Sequence, residues 1–327
     1  MPVAARLILL LALGALPATG AAVPDNGAWS LVVENDFFTE TDRDYTSGIA
    51  VIWVPKGDPV PAWALRAARA LPGFPDDGPV RHGYAIGQTA FTPEDISAPV
   101  PPPDQRPYAG WLYGSIGVGA LSGQRLDQFA LTLGIVGPAS MAEQVQAAIH
   151  AVTGSDEPQG WDSQLSNEPG VILSYQRSWR EAASTTLGGL ELGLSPHVGG
   201  ALGNIYTYAN GGATLRWGRG LARDFGPPRI QPSLPGSAYF MPAAERSWYL
   251  FVGVDARVVL RNIFLDGNTW TDSASVDKEP LVADLQWGVS VTLEDLRLSF
   301  TQVRRSKEFE TQVGHDEFGA FAVSVAF

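Results

Sequence analysis

The chain has 327 residues, a formal net charge of −12, no cysteine, 36 glycines, 10 Trp, 9 Tyr and 14 Phe. The absence of cysteine removes a disulfide framework, a thiolate metal site and a cysteine nucleophile. The acidity removes the basic stripe that nucleic acid requires, so no nucleic-acid partner is expected, and it suits a divalent-cation site as well as plain solubility.

Residues 1–22 read as a secretory signal peptide. One positive charge lies within Met1–Arg6, Leu7–Leu16 is apolar, and Pro17–Ala22 is rich in small residues. An apolar run of this length falls short of the roughly 20 residues that a spanning helix needs. No later stretch approaches a membrane helix, and neither an internal repeat nor a compositional linker divides residues 23–327, which are taken as one domain.

Alternation sets the fold class. Phe321, Val323, Val325 and Phe327 oppose Ala320, Ala322, Ser324 and Ala326, while Leu285, Trp287, Val289 and Val291 oppose Asp284, Gln286, Ser290 and Thr292. Bulky residues outside against small or polar ones inside suit a strand between lipid and lumen, whereas the hidden face of a soluble sandwich is apolar. Strands are expected near 27–36, 45–55, 80–90, 110–121, 125–135, 168–179, 186–198, 205–219, 246–260, 280–292, 295–305 and 317–327. The expected fold is all-β: a transmembrane antiparallel up-and-down barrel of about 12 strands with both termini in the periplasm. The turns at 122–124 and 293–295 are short, as periplasmic turns should be. The links 56–79, with a helix-like Trp63–Leu71, and 220–245, rich in proline, are long for that side and carry no evident function.

The polar clusters fall on the outward loops 37–44, 91–109 and 136–167. The first joins Glu34-Asn35-Asp36 to Asp42-Arg43-Asp44-Tyr45-Thr46-Ser47-Gly48. Such carboxylates suit a hard cation, and equally a solvated acidic loop. In the third loop, Pro138–Thr153 reads as a short helix closed by Gly154. Glu143, Gln146 and His150 form a polar stripe opposite Met141, Val145, Ala148 and Val152. If the helix crosses the barrel mouth, His150 hangs over the lumen. Alternation puts Thr46, Gly48, Ala50 and Ile52 inward, and on the first strand it puts Asp36 inward and Asn35 outward. A bulge near Asn35 would bring the two together. His82, His197 and His315 read as structural or exposed. No Gly-x-Ser-x-Gly elbow or His-Glu-x-x-His motif is present, so hydrolysis here needs a His-activated water or an unadvertised Ser or Thr.

Taken together, Glu34-Asn35-Asp36, Asp44-Tyr45-Thr46-Ser47-Gly48, Asp104-Gln105-Arg106-Pro107-Tyr108-Ala109-Gly110-Trp111, Gly137-Pro138, His150, Gly154-Ser155-Asp156, Gly160-Trp161 and Gln164-Leu165 resemble the outer-membrane lipid A 3′-O-deacylase family. The resemblance implies a twelve-stranded barrel in the bacterial outer membrane that removes the 3′-linked acyloxyacyl chain of lipid A with a divalent cation, usually calcium. It implies His150 as general base, Asn35, Asp36 and Thr46 as catalytic partners, and Asp36 and Asp156 as metal ligands. Some members carry an essential lysine before the fourth strand. Here Glu94–Gln105 contains none, and Arg106 is expected to supply the substrate-phosphate contact, with Gln146 also binding substrate. The implied partners are lipopolysaccharide, outer-membrane lipid and, through the terminal Phe327, the barrel-assembly machinery. The rival expectations are a passive channel and an inactive barrel of the same fold.

Overall fold

The computed structural model describes residues 26–35, 44–76, 78–153, 158–233 and 235–327. Its strands are β1 (Ala28–Asn35), β2 (Asp44–Val54), β3 (Val80–Thr92), β4 (Ala109–Ser122), β5 (Arg125–Val136), β6 (Glu168–Trp179), β7 (Ala183–Leu187), β8 (Leu190–Gly203), β9 (Tyr206–Arg219), β10 (Ala243–Asn262), β11 (Leu281–Glu294), β12 (Leu296–Arg305) and β13 (Asp316–Ala326). The helices are α1 (Ala62–Arg69), α2 (Ala142–Thr153) and α3 (Ile263–Asp266). The expected signal peptide lies outside the described residues.

Every described neighbour pairing is antiparallel. β1 bonds to both β2 and β13, and β6 bonds to β8, so twelve strands close into a barrel. The strand expected at 186–198 is split. Gly188 and Gly189, with φ of 62° and 77°, turn β7 back onto β8, which then runs on to Gly203. β7 pairs only with the lower end of β8, where it continues β6 toward the periplasm and leaves the twelve-strand closure intact.

The alternation has the expected sense. Trp29, Leu31, Ile49, Val51, Ile86, Leu133, Val252 and Leu285 are exposed on the lipid side, while Ser30, Val32, Ala50, Gln286, Ser290 and Ser324 are buried inside. Aromatic rings mark the periplasmic end of the wall: Trp29 stacks on Trp53, which stacks on Tyr84. Polar inward residues pair between neighbouring strands. Ser30 Oγ donates to Ser324 Oγ at 2.7 Å, and Asp284 binds both Arg257 (2.8 Å) and Arg305 (2.9 Å).

The two long periplasmic links account for the space at that end. The proline-rich segment after β9 turns up into the lumen. There Arg229 Nε meets Glu34 Oε1 at 2.7 Å, Arg229 Nη1 donates to Gln286, and Ile230 packs on Val32, Ala50 and Ala322. Arg297, fully buried, donates to the Ser237 carbonyl and pairs with Asp224. The link after β2 does the opposite and lies on the outside of the wall. Ala64 and Ala68 of α1, with Phe74, pack on Val118, Ala120 and Phe129.

Candidate functional site

The second and third outward loops are built as one unit. The Gln159 amide donates to the Ile96 carbonyl, the Leu165 amide to the Tyr108 carbonyl, and the Tyr108 hydroxyl to the Ile96 carbonyl. Tyr108 is fully buried against Trp161, with ring centroids 5.1 Å apart. Gly160 is required there, because a Cβ would strike the Tyr108 ring. Gly137 takes φ of 93°, turning the chain off β5 into the single 3₁₀ turn Pro138–Ser140 that leads into α2.

This turn carries α2 to the lipid-facing side of the wall. The α2 helix contacts β3 and β4, and Gln88, which shares the outward face of Tyr84 and Ile86, donates its Nε2 to the Ser140 carbonyl at 2.6 Å. A Cβ at Gly110 would collide with Ser140 Oγ and Ala142 Cβ, so glycine lets the helix lie directly on β4. The helix expected in this outward loop does not cross the mouth, so His150 does not hang over the lumen: α2 lies along the outer wall. The physical reason is that Gln88, Ala90 and Gly110 offer an outward bed shaped for it.

The side of α2 toward the wall holds Ala142, Gln146 and His150, all buried, whereas Glu143 is exposed. Two members of the expected stripe, Gln146 and His150, therefore face the wall and the third does not. The Trp161 Nε1–H donates to Gln146 Oε1 at 2.8 Å. That bond fixes the amide, because only its oxygen can accept, and leaves Nε2 to make its own contacts. Nε2 is buried and has no hydrogen-bond partner among the described residues.

Register brings the first hairpin to the same bed. Asn35 lies opposite Ser47, Ser47 opposite Ala90, and Ala90 opposite Gly110. The pairing of β1 is unbroken from Ala28 to Asn35, with no bulge in that span, and Asn35 keeps the outward parity of Trp29, Leu31 and Val33. The irregularity falls in β2 instead, between Tyr45 and Ser47, at Thr46. Because the bed lies outside the barrel, outward parity puts Asn35 on the side where α2, Gln146 and His150 are. Asp36, Asp156 and the Thr46 side chain lie outside the described residues.

Arg106 is not brought to this cleft. It is fully buried in the outer end of the barrel, 3.4 Å from Glu308 Oε2 and stacked over the Phe91 ring. The expectation that it meets a substrate phosphate is corrected: the inward-facing Phe91 and Glu308 draw the guanidinium into the lumen. His197 is also buried inside, with Nε2 2.8 Å from Asp255, and His315 sits on the rim beside Glu317.

The lumen keeps a cavity of about 200 Å³ that Glu34, Thr89, Tyr113, Tyr206, Arg229 and Arg305 help to line. Its outer end is closed by an apolar cluster in which Phe264 of α3 stacks on Phe91 at 4.1 Å, with Trp111, Ile205 and Phe318 around them. Its inner end holds the proline-rich segment.

A family model described as Outer membrane protein LpxR matches residues 7–327. The chain belongs to this family. As an LpxR-family barrel it resides in the bacterial outer membrane. The solved structure of LpxR from Salmonella typhimurium superposes with a TM-score of 0.75 at 18% identity, covering 92% of this chain and 100% of that one, which shows a shared fold. The β-domain of the Bordetella autotransporter BrkA matches with a TM-score of 0.46 at 10% identity, covering 93% of this chain and 100% of that one. No curated protein sequence matches. Within this LpxR-family chain, sequence reading assigned no role to Gln88, Tyr108, Gly110 or Trp161, which seat α2. Their signal was the Tyr108-Ala109-Gly110-Trp111 and Gly160-Trp161 runs, whose purpose becomes visible only when the two loops are folded together.

Proposed function

We propose that the chain is a lipid A deacylase that hydrolyses the 3′-linked acyloxyacyl ester in a cleft between the outer wall and α2. The observation that carries this reading is the burial of Gln146 and His150 between helix and wall, on the side of the barrel where an outer-leaflet lipid lies. Family membership supports lipid A as the substrate class.

His150 takes a proton from water as the water attacks the ester carbonyl, and returns it to the departing oxygen. The Gln146 Nε2, buried without a partner among the described residues, donates to a substrate oxygen. Asn35 and Thr46 donate to the oxyanion that forms on the carbonyl. A fixed donor in a site that excludes water stabilises that charge more than solvent would.

Among the described residues no group of three His, Asp or Glu side chains stands together to hold a metal. The expected ligands Asp36 and Asp156 lie outside the described residues. Calcium held by that pair would polarise the carbonyl as a Lewis acid.

The test is mass spectrometry of lipid A from cells with and without the chain. Loss of the 3′-linked acyloxyacyl group in expressing cells supports the proposal. Unchanged lipid A, with the barrel present and heat-modifiable, would assign it to an inactive member of the family.

A further inference from the structure

Outward wall residues in contact with lipid are partly exposed, as Leu133 is at 53%, yet Val118 and Ala120 on the same outward face are only 2% and 0% exposed. Their parity is fixed by Tyr84, an exposed wall residue paired with Ile116, from which Val118 and Ala120 follow at steps of two. Protein covers them: the inner side of α1, Ala64 and Ala68, lies on Val118, Ala120 and Phe129. The residue paired with Val118 is His82, one outward step below Tyr84 toward the periplasm. The α1 helix therefore begins where the Trp29–Trp53–Tyr84 aromatic layer ends, at the depth of the inner-leaflet headgroups.

The other side of the helix suits that depth. Trp63, at 48% exposure, Arg66 and Arg69 recur every three residues along it, and the helix contains no acidic residue in a chain of net charge −12. Arg69 Nη2 donates to the Asp76 carbonyl at 2.9 Å, which ties the helix end to the loop returning to β3. Beneath that loop Arg177 donates to the Gly73 carbonyl at 2.6 Å and to Asp127 at 2.6 Å, so the strap is bonded to the wall as well as packed on it. A Trp at the headgroup boundary with two arginines directed away from an apolar floor is the arrangement of an interfacial amphipathic helix.

We propose that α1 is a phospholipid-binding strap: its Trp63–Arg66–Arg69 side lies in the inner leaflet of the outer membrane and binds the phosphodiester headgroups of anionic phospholipids. The barrel thereby engages both leaflets, with lipopolysaccharide on one side and phospholipid on the other. Trp63 sets the depth, and the arginines supply the charge.

Because the chain has no cysteine, the Ala62→Cys variant carries one environment-sensitive fluorophore at the start of α1. The labelled barrel is reconstituted in phosphatidylcholine vesicles containing phosphatidylglycerol, with heat-modifiability confirming the fold. Quenching is compared for spin-labelled phosphatidylglycerol, spin-labelled phosphatidylcholine at equal mole fraction, and aqueous iodide. The expected result is strong quenching by lipid, weak quenching by iodide, and a preference for the anionic lipid of up to about fivefold per arginine at low salt. Arg66→Gln with Arg69→Gln should abolish the preference while leaving the barrel folded. Strong iodide quenching with little lipid quenching would place α1 in the aqueous periplasm and overturn the proposal. So would an anionic preference that survives the double substitution.

Discussion

Trp161 holds Gln146 by a single 2.8 Å bond, and that bond decides which end of the amide is left for a substrate. Gln146→Glu keeps an acceptor for the indole but removes the free N–H. It is expected to leave α2 as resistant to limited proteolysis as in the parent, while raising KM about tenfold, the scale of one buried hydrogen bond. Gln146→Leu strands the indole N–H as well, and should show both the kinetic loss and faster cleavage within 142–153. Identical proteolysis and kinetics for the two variants would remove the assigned amide orientation.

His150→Ala should preserve membrane insertion and heat-modifiability, because α2 lies outside the closed hydrogen-bonded wall. Its turnover on lipid A should fall at least about a hundredfold, the usual scale for losing a general base. His150→Gln should not restore it, since an amide cannot take a proton from water. His82, His197 and His315 variants in the same assay are the controls, and equal losses in all four would point to damaged folding.

For Asn35, outward parity gives a prediction that an inward position would not. Asn35→Ala should lower turnover by about 10²-fold, as expected for one oxyanion donor. Its inward neighbour is held within the lumen network and should act on stability. Glu34→Ala leaves Arg229 buried beside Gln286 without its carboxylate, at a cost of about 3 kcal/mol, read by urea unfolding in detergent. Reversed effects for these adjacent residues would overturn the register-based placement.

Chelation should suppress deacylation, and added calcium should restore it, if Asp36 and Asp156 hold the proposed cation. Asp156→Asn is expected to raise the calcium concentration needed for half-maximal activity. Full activity in excess chelator, with metal loss verified, would leave these carboxylates as solvated charge.

A planar-bilayer recording of the purified barrel should show no steady conductance. Phe264 and Phe91 close the outer end, and the segment carrying Arg229 and Ile230 fills the inner one. A persistent open level would favour a channel.

The strand count and the sense of inside and outside were legible because alternation is a local signal with a period of two. The break at Gly188-Gly189 was hidden by residues of acceptable strand character on both sides of it. Three further features depended on partners far along the chain. The helix containing His150 was legible as a helix, but its bed on Gln88 and Gly110 was not, since nothing within 136–167 states which side of the wall the loop will fold over. Arg106 read as a free charge until Glu308, 202 residues later, was seen beside it. The two periplasmic links looked alike as long loops, yet one presents small apolar residues to Val118 and Ala120 while the other sends Arg229 to Glu34.

The position of the cleft on the lipid side of the wall also governs how substrate supply is counted. A site that opens laterally meets its ester by two-dimensional diffusion, so saturation should follow the mole fraction of lipid A in the leaflet or micelle. Adding detergent at constant total lipid A would then slow the reaction by surface dilution alone, and the rate should recover when the ratio of lipid A to detergent is restored. In the proposed reaction the released acyl chain would begin its existence in the same membrane plane as the barrel.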